Sequence, residues 1–142
     1  METKYLTAFL AIIAAAILLI ALAANSSVAQ EAQAQQKAPY INITSGELKA
    51  MLQSKDFKLI NVHIPYQGEI GGTDMFIPYN EIGEKISLAK DGKIVLYCRS
   101  GSMSREAAEK LAALGYSNVY NLEMGMNEWK SEGNELIENN GG

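Results

Sequence analysis

Hydrophobic and polar residues divide the chain into three stretches with different patterns. Residues 5–24 are apolar and uncharged, with Thr7 as the one polar interruption. Residues 30–38 are polar, rich in Gln and Ala, and have no apolar face. Residues 39–137 alternate short apolar runs with amphipathic segments. This alternation predicts one domain of about 100 residues in which strands and helices follow one another, a size at which a single core is viable.

Short apolar runs rich in β-branched and aromatic residues predict the strands of this domain. The clearest strand is Lys93–Cys98. The near-continuous apolar character of Lys58–Ile64 predicts a strand that is buried on both faces. Further strands are predicted at Tyr40–Thr44 and Asn118–Leu122, with a short extended segment at Phe76–Ile77.

Helices are predicted between these strands. The clearest helix spans Ser104–Leu114 and ends before a glycine. Thr44 and Glu47 form a capping-box pattern that begins an earlier helix, and shorter helices are predicted within residues 81–89 and 126–133. Because the strands alternate with helices, right-handed crossovers are expected. The predicted fold class is therefore α/β, a small parallel sheet with helices on both faces.

The N-terminal apolar stretch, residues 5–24, would be about 30 Å long as a helix, enough to cross the hydrocarbon core of a bilayer. Ser27 and Ala29 place small residues at the spacing that a signal peptidase accepts, but the stretch is longer than the usual signal core. Residues 1–29 are therefore predicted to be either a cleaved signal peptide or an uncleaved membrane anchor. Both interpretations predict an extracytoplasmic domain.

The segments that flank the domain are predicted to be flexible. Residues 30–38 have the composition of a polar linker, although Ala and Gln would also allow a preceding helix to continue through them. Residues 138–142 are predicted to be a flexible C-terminal tail. The domain itself is assigned to residues 39–137.

Charge and cysteine content narrow the function. The net charge is −4, and no basic patch or interleaving of Arg with aromatic residues is present, which argues against nucleic-acid binding. The chain has one cysteine, Cys98, which excludes an internal disulfide. Neither a metal nor a cofactor is predicted.

Cys98 ends the clearest predicted strand, and parallel α/β sheets bind ligands at the carboxyl ends of their strands. The loop that follows, from Arg99 to Ser104, is small and polar, and Gly101 can adopt a positive φ. Its N–H groups and the start of the next helix can converge on an anion, which would stabilise a thiolate. Taken alone, a single cysteine is more often a small buried hydrophobe. The loop and the helix start favour a reactive thiol instead.

Arg105, in the first turn of the predicted helix, strengthens this interpretation. A cation at this position opposes the helix dipole by about 0.3–1 kcal/mol. Beside a thiolate and an anionic substrate, the same charge becomes useful. The alternative is an exposed salt bridge between Arg105 and Glu109.

The segments "CRSGSMS" and "REAAEKLAALGYSNVYNLEMGMNEW" resemble the rhodanese family of sulfurtransferases. In that family the loop begins with the catalytic cysteine, and the next helix leads into a "V-x-x-L-x-G-G-x-x-x-W" run. Val119, Leu122, Gly125 and Trp129 match this run, with Met124 in place of its first glycine. The resemblance extends over residues 39–137 and implies a rhodanese-like fold.

The resemblance implies that Cys98 takes up a sulfane sulfur as a persulfide and passes it to cyanide or a thiol. The donor would be thiosulfate, a polysulfide or a persulfide, and the acceptor thiol could belong to a small molecule or to a protein. The loop and the first helical turn would bind the substrate through Arg99, Ser100, Gly101, Ser102, Met103, Ser104 and Arg105.

Three departures from the family pattern bear on the donor. Met103 stands where the family often has an arginine that helps to bind thiosulfate. Asn61 and His63 replace the Asp and Arg of an "I-D-V-R" strand, and residues 68–78 differ from the usual "G-H-I-P-G-A" segment. These changes put thiosulfate in doubt as the donor. His63, the one histidine, is interpreted as a structural residue at the end of a strand.

Other functions fit the residues less well. A phosphatase of this fold needs an arginine at the sixth position after the cysteine, where this chain has Ser104, and Arg105 comes one residue too late. Arsenate reduction is disfavoured for the same reason, because the arginine is at the wrong position, and because the chain has no second cysteine to resolve the intermediate. A sulfane-sulfur carrier or sensor, or a module that docks a partner, remains as the alternative to an enzyme.

Overall fold

The computed structural model describes residues 39–138. Within that range the elements are, in chain order, β1 (Ile41–Ile43), α1 (Ser45–Leu52), β2 (Lys58–Asn61), β3 (Met75–Phe76), α2 (Ile82–Lys85), β4 (Ile94–Tyr97), α3 (Ser102–Ala113), β5 (Val119–Leu122) and α4 (Gly125–Ser131). The strands form one sheet in the order β1-β5-β4-β2-β3, and each neighbouring pair is parallel. The prediction of an α/β fold with a small parallel sheet is confirmed.

The two faces of the sheet carry separate apolar clusters, because side chains alternate along each strand. On one face, Ile60 and Leu96 pack in a cluster with α2 and α3. On the other face, Leu59 and Val95 pack in a cluster with α1 and α4. Helices therefore cover both faces, and the central strand β4 is fully buried. Burial of each Val, Leu or Ile side chain contributes about 1.5–3 kcal/mol, so this strand is held firmly between the layers.

Two of the shifts between predicted and observed element ends occur near the carboxyl edge of the sheet and have a local cause. The strand β2 stops at Asn61, because its side chain accepts a hydrogen bond from the N–H of His63 (3.0 Å) and donates one to the carbonyl of Gly68 (3.1 Å). Helix α3 begins at Ser102, two residues before its predicted start, because Gly101 at φ 89° takes the cap position. The capping box at the start of α1 is confirmed.

Within residues 39–138, no helix is long and apolar enough to cross a membrane. The predicted signal peptide or anchor (1–29), the linker (30–38) and, apart from Glu138, the C-terminal tail lie outside the described residues.

Candidate active site

Cys98 directly follows β4, between the two neighbouring strands β2 and β5, and its thiol faces the turn that leads into α3. The N–H of Gly101 donates to the Sγ of Cys98 at 3.1 Å. The hydroxyl of Ser104 lies 3.6 Å from the same sulfur. Only 1% of Cys98 is exposed, so these donors surround a sulfur that is almost completely withdrawn from water. Both donors are placed to hydrogen-bond to a negative charge on this sulfur.

Ser104 is a buried residue of the first turn of α3, and its hydroxyl has two neighbouring acceptors. Besides the sulfur, the Oγ lies 3.2 Å from the carbonyl oxygen of Gly101. A hydroxyl has one proton and can donate it to one acceptor at a time. Its proton can therefore turn toward the sulfur when Cys98 carries negative charge and return to the carbonyl afterwards.

Backbone N–H groups at the start of α3 complete the anion cradle that the sequence predicts. The first turn of a helix has no internal acceptors for its N–H groups. Among the described residues, the N–H groups of Ser102, Met103 and Ser104 have no acceptor, whereas the N–H of Arg105 donates to the carbonyl of Gly101 (3.0 Å). The first residues of α3 thus add three free N–H groups to the N–H of Gly101 that binds the thiol.

Helix α4 holds the loop from behind. The N–H of Met126 donates to the carbonyl of Cys98, and the N–H of Asn127 donates to the carbonyl of Arg99, each at 2.9 Å. Gly125, at φ 56°, allows this close approach. These two N–H donors were not predicted from the sequence, although the glycine of the "G-x-x-x-W" pattern marks their position.

The predicted substrate-binding residues differ in how far they are buried. Gly101 and Ser104 are buried beside the thiol, whereas Arg99, Ser100, Ser102 and Arg105 are exposed. Met103 is half-buried and packs against the core cluster that contains Cys98. The backbone N–H of Gly101 and the hydroxyl of Ser104 thus contact the thiol, whereas both arginines are exposed.

Arg105 has no carboxylate within salt-bridge distance among residues 39–138. The surface salt bridge with Glu109, which the sequence offered as an alternative, is thus not formed there. Arg105 instead lines a cleft of about 450 Å³ beside the first turns of α3, here called the α3 cleft, whose walls are Tyr79, Ser102, Met103, Arg105, Glu106 and Glu109. A second cleft of about 460 Å³ lies at the opposite edge of the sheet, around Phe57 and Ile94, away from the thiol.

His63 lies two residues after the end of β2, and β2 pairs with β4, the strand that Cys98 follows. It is only 6% exposed; its Nε2 lies 3.1 Å from Oε1 of Gln67, and its Nδ1 has no hydrogen-bond partner. Burial lowers the pKa of His63, the charge of Arg99 lowers it further, and the hydrogen bond to Gln67 opposes both effects. The ring is therefore neutral at pH 7 and adds no positive charge to the site.

Metal binding has no support in this part of the molecule. Among residues 39–138, no group of three His, Cys, Asp or Glu side chains is placed to hold a metal ion.

A comparison with family models matches residues 44–132 to the rhodanese-like domain. The chain belongs to the rhodanese-like family. The match includes the thiol, the anion cradle and the part of α4 that supports them. It confirms the family that the sequence motifs indicate.

Individual relatives agree with this assignment. The rhodanese-like domain is 30% identical over 105 residues to mouse "Thiosulfate sulfurtransferase/rhodanese-like domain-containing protein 3", a match that covers 61% of this chain and 66% of the mouse protein. The aligned region thus spans just under two thirds of that relative. A "Sulfurtransferase" of Allochromatium vinosum is 31% identical over 91 residues, covering 61% of this chain and 84% of the relative.

Solved structures show the same fold. A rhodanese-like domain protein from Staphylococcus aureus superimposes with a TM-score of 0.59 at 30% identity, covering 69% of this chain and 99% of that one. A rhodanese-related protein from Thermoplasma volcanium gives a TM-score of 0.59 at 28% identity and covers 69% of this chain and 98% of that one.

Proposed function

We propose that this rhodanese-like domain is a sulfurtransferase in which Cys98 carries a sulfane sulfur as a persulfide. The Cys98 thiolate attacks the sulfane sulfur of a donor, a new S–S bond forms, and the old bond breaks with its electron pair on the leaving group. Thiosulfate would release sulfite, and a persulfide would release a thiolate. A thiolate or cyanide then attacks the outer sulfur, and the Cys98 thiolate leaves.

The observation that carries this proposal is the convergence of donors on one sulfur. Gly101 and Ser104 contact the Sγ of Cys98, and the unpaired N–H groups at the start of α3 lie just beyond them. A persulfide anion placed on Cys98 extends the negative charge outward by one S–S bond. The free N–H groups are then available to bind the charge at its new position.

Mass spectrometry of the purified protein tests the proposal. Incubation with thiosulfate, a polysulfide or an organic persulfide should add the mass of sulfur to Cys98, and cyanide or a thiol should remove it. Cys98→Ser should abolish both the mass gain and turnover, because the chain has no other cysteine. Turnover that persists in Cys98→Ser would overturn the proposal.

A carrier or sensor of sulfane sulfur is the second candidate. It is favoured by Met103, whose neutral side chain packs toward the core and adds no charge for a donor anion. Steady-state kinetics separate the two functions. An enzyme turns over many times with donor and acceptor in excess, whereas a carrier loads once and then stops until a specific partner unloads it. A protein thiol is the partner to test for unloading.

We further propose that the domain acts on the outer side of a membrane. The support is the uncharged apolar stretch at residues 5–24, which would serve as a signal peptide or as an anchor.

A further inference from the structure

The α3 cleft begins where the anion cradle ends. Ser102 and Met103, the first residues of α3, line the cleft and directly follow Gly101, whose N–H binds the thiol. Met103 also packs against the core cluster that contains Cys98. A molecule that presents sulfur to Cys98 can therefore extend its remaining atoms along the cleft.

The size of the cleft exceeds what an inorganic donor would fill. Ligand sites for small organic molecules have volumes of about 300–1,000 Å³. The α3 cleft, at about 450 Å³, lies within that range. Thiosulfate has only five atoms and would leave most of this space to water.

The α3 cleft contains both positive and negative side chains, and these do not form ion pairs with one another. Among residues 39–138, Arg105, Glu106 and Glu109 form no ion pair, although the first and last are spaced four residues apart on α3. Other surface charges of the same protein do form ion pairs, for example Lys55 with Asp74 at 2.5 Å. Burial raises the pKa of Tyr40, the charge of Glu109 raises it further and the charge of Arg105 lowers it, so both charges lie near this ring.

This arrangement selects for one kind of ligand. Two carboxylates beside one guanidinium repel a compact dianion such as thiosulfate. A molecule that carries both an ammonium and a carboxylate can pair with both kinds of charge. Tyr79 and Met103 add apolar surface for the short carbon chain between those groups.

We propose that the α3 cleft binds the ammonium and carboxylate groups of an amino-acid persulfide or short-peptide persulfide, which is the sulfur donor of this domain. Arg105 binds the carboxylate, and Glu106 with Glu109 binds the ammonium. The proposal rests on the proposed function, because it names the donor of the same reaction.

The transfer step balances without an added oxidant or reductant. The Cys98 thiolate attacks the outer sulfur of R–S–SH, and a bond forms between the two sulfur atoms. The S–S bond of the donor breaks, and its electron pair leaves on the thiolate R–S⁻. The proton stays on the outer sulfur, so the products are the Cys98 persulfide and an amino-acid thiolate.

Three donors that differ in one charged group test the assignment. Cysteine persulfide has both groups, N-acetylcysteine persulfide lacks the ammonium, and cysteamine persulfide lacks the carboxylate. The rate of sulfur loading on Cys98, followed by mass spectrometry, gives kcat/KM for each. Loading of sulfur from cysteine persulfide should be fastest, with a kcat/KM roughly 10-fold above that of each of the other two donors. The reason is that each of those donors loses one charge-assisted contact, which changes kcat/KM by about a factor of ten.

Variants assign each group to its partner. Glu106→Gln with Glu109→Gln should slow sulfur loading from cysteine persulfide and cysteamine persulfide roughly 10-fold, and it should not slow loading from N-acetylcysteine persulfide, which has no ammonium. Arg105→Gln should slow loading from the two donors that have a carboxylate and should not slow loading from cysteamine persulfide. The matched control is Glu132→Gln with Glu135→Gln, which removes the same charge from exposed positions outside the cleft and should change none of the three rates.

Binding to Cys98→Ser separates this proposal from the proposed function. S-methylcysteine has both charged groups and no transferable sulfur. Its affinity for Cys98→Ser, measured by calorimetry, should fall when Glu106 and Glu109 are replaced as above. If S-methylcysteine binds in this way but no donor loads sulfur on Cys98, the proposed sulfurtransferase function is overturned and the cleft assignment is supported. The cleft assignment would be overturned if all three donors loaded sulfur at equal rates, or if the cleft variants changed all three rates equally. Either result would still support the proposed sulfurtransferase function.

Discussion

Gly125 lies against the backbone carbonyl of Cys98 so closely that no side chain fits between them. A Cβ built on Gly125 would lie 2.2 Å from the carbonyl oxygen of Cys98, far inside any normal contact. The same residue is in the left-handed region, at φ 56°. The position of Cys98 is therefore set from outside its own loop, by a glycine that begins another helix.

Gly125→Ala should weaken both the fold and the site. The clash and the left-handed φ together should lower the free energy of unfolding by roughly 2–5 kcal/mol. Because the loop carbonyls bond to Met126 and Asn127, the displaced loop should also load sulfur more slowly. Urea denaturation and the loading assay measure the two effects.

Gly46→Ala is the matched control for this substitution. Gly46 lies in α1, where an added Cβ would meet no atom within 4 Å. Ala should raise the free energy of unfolding there by about 0.5–1 kcal/mol, because glycine is the poorer helix former. Equal stability of Gly125→Ala and the wild type would contradict the role given to Gly125.

The sequence predicted this fold well where the signals were local. The strand before Cys98, the capping box of α1 and the glycine of the loop after Cys98 all depend on residues close in sequence. The support that α4 gives to Cys98 joins segments more than two dozen residues apart, and no spacing rule encodes it. The conformation of Arg105 depends on solvent and neighbouring side chains, which is why the sequence left its salt bridge with Glu109 open.

Met103→Arg should improve the use of thiosulfate. Met103 lines the α3 cleft beside the anion cradle, so a guanidinium there would add positive charge where the donor's oxygen atoms are expected. A charge-assisted hydrogen bond contributes roughly 1.5–3 kcal/mol, so kcat/KM for thiosulfate should rise by about 10-fold or more.

Leu114→Arg tests whether position or net charge causes that rise. Leu114 is 45% exposed at the other end of α3, so it accepts the same charge far from the thiol. The Leu114→Arg variant should therefore have the same kcat/KM for thiosulfate as the wild type. Equal gains in both variants would show that long-range attraction of the donor, rather than a contact at position 103, sets the rate.

Export is expected from the apolar stretch at residues 5–24. Protease added to intact spheroplasts should digest the domain, because it would lie on the outer side of the membrane. The mass of the mature protein should show whether cleavage occurs after Ala29 or the stretch is retained. Protection of the domain from protease, together with its recovery in the cytosolic fraction, would rule out export.

The stability of the domain should depend on the titration of His63. In the unfolded chain its pKa returns to about 6.5, whereas burial and the charge of Arg99 hold it lower in the folded protein. Between the two values the unfolded state binds a proton that the folded state does not. Stability therefore falls as the pH drops below the unfolded pKa, by up to about 1.4 kcal/mol per pH unit, and stops falling once the pH passes the folded pKa.

His63→Gln isolates this contribution, because His63 is the one histidine in the chain. Carboxylates such as Asp74 and Glu69 also have shifted pKa values, but they titrate in both proteins and cancel in the difference. Urea denaturation between about pH 7.5 and about pH 5.5 should show the wild type losing stability relative to His63→Gln as the pH falls through the ordinary histidine pKa. Parallel stability curves would mean that His63 accepts a proton equally well in the folded state, and the ring would then be open to solvent rather than held neutral by burial.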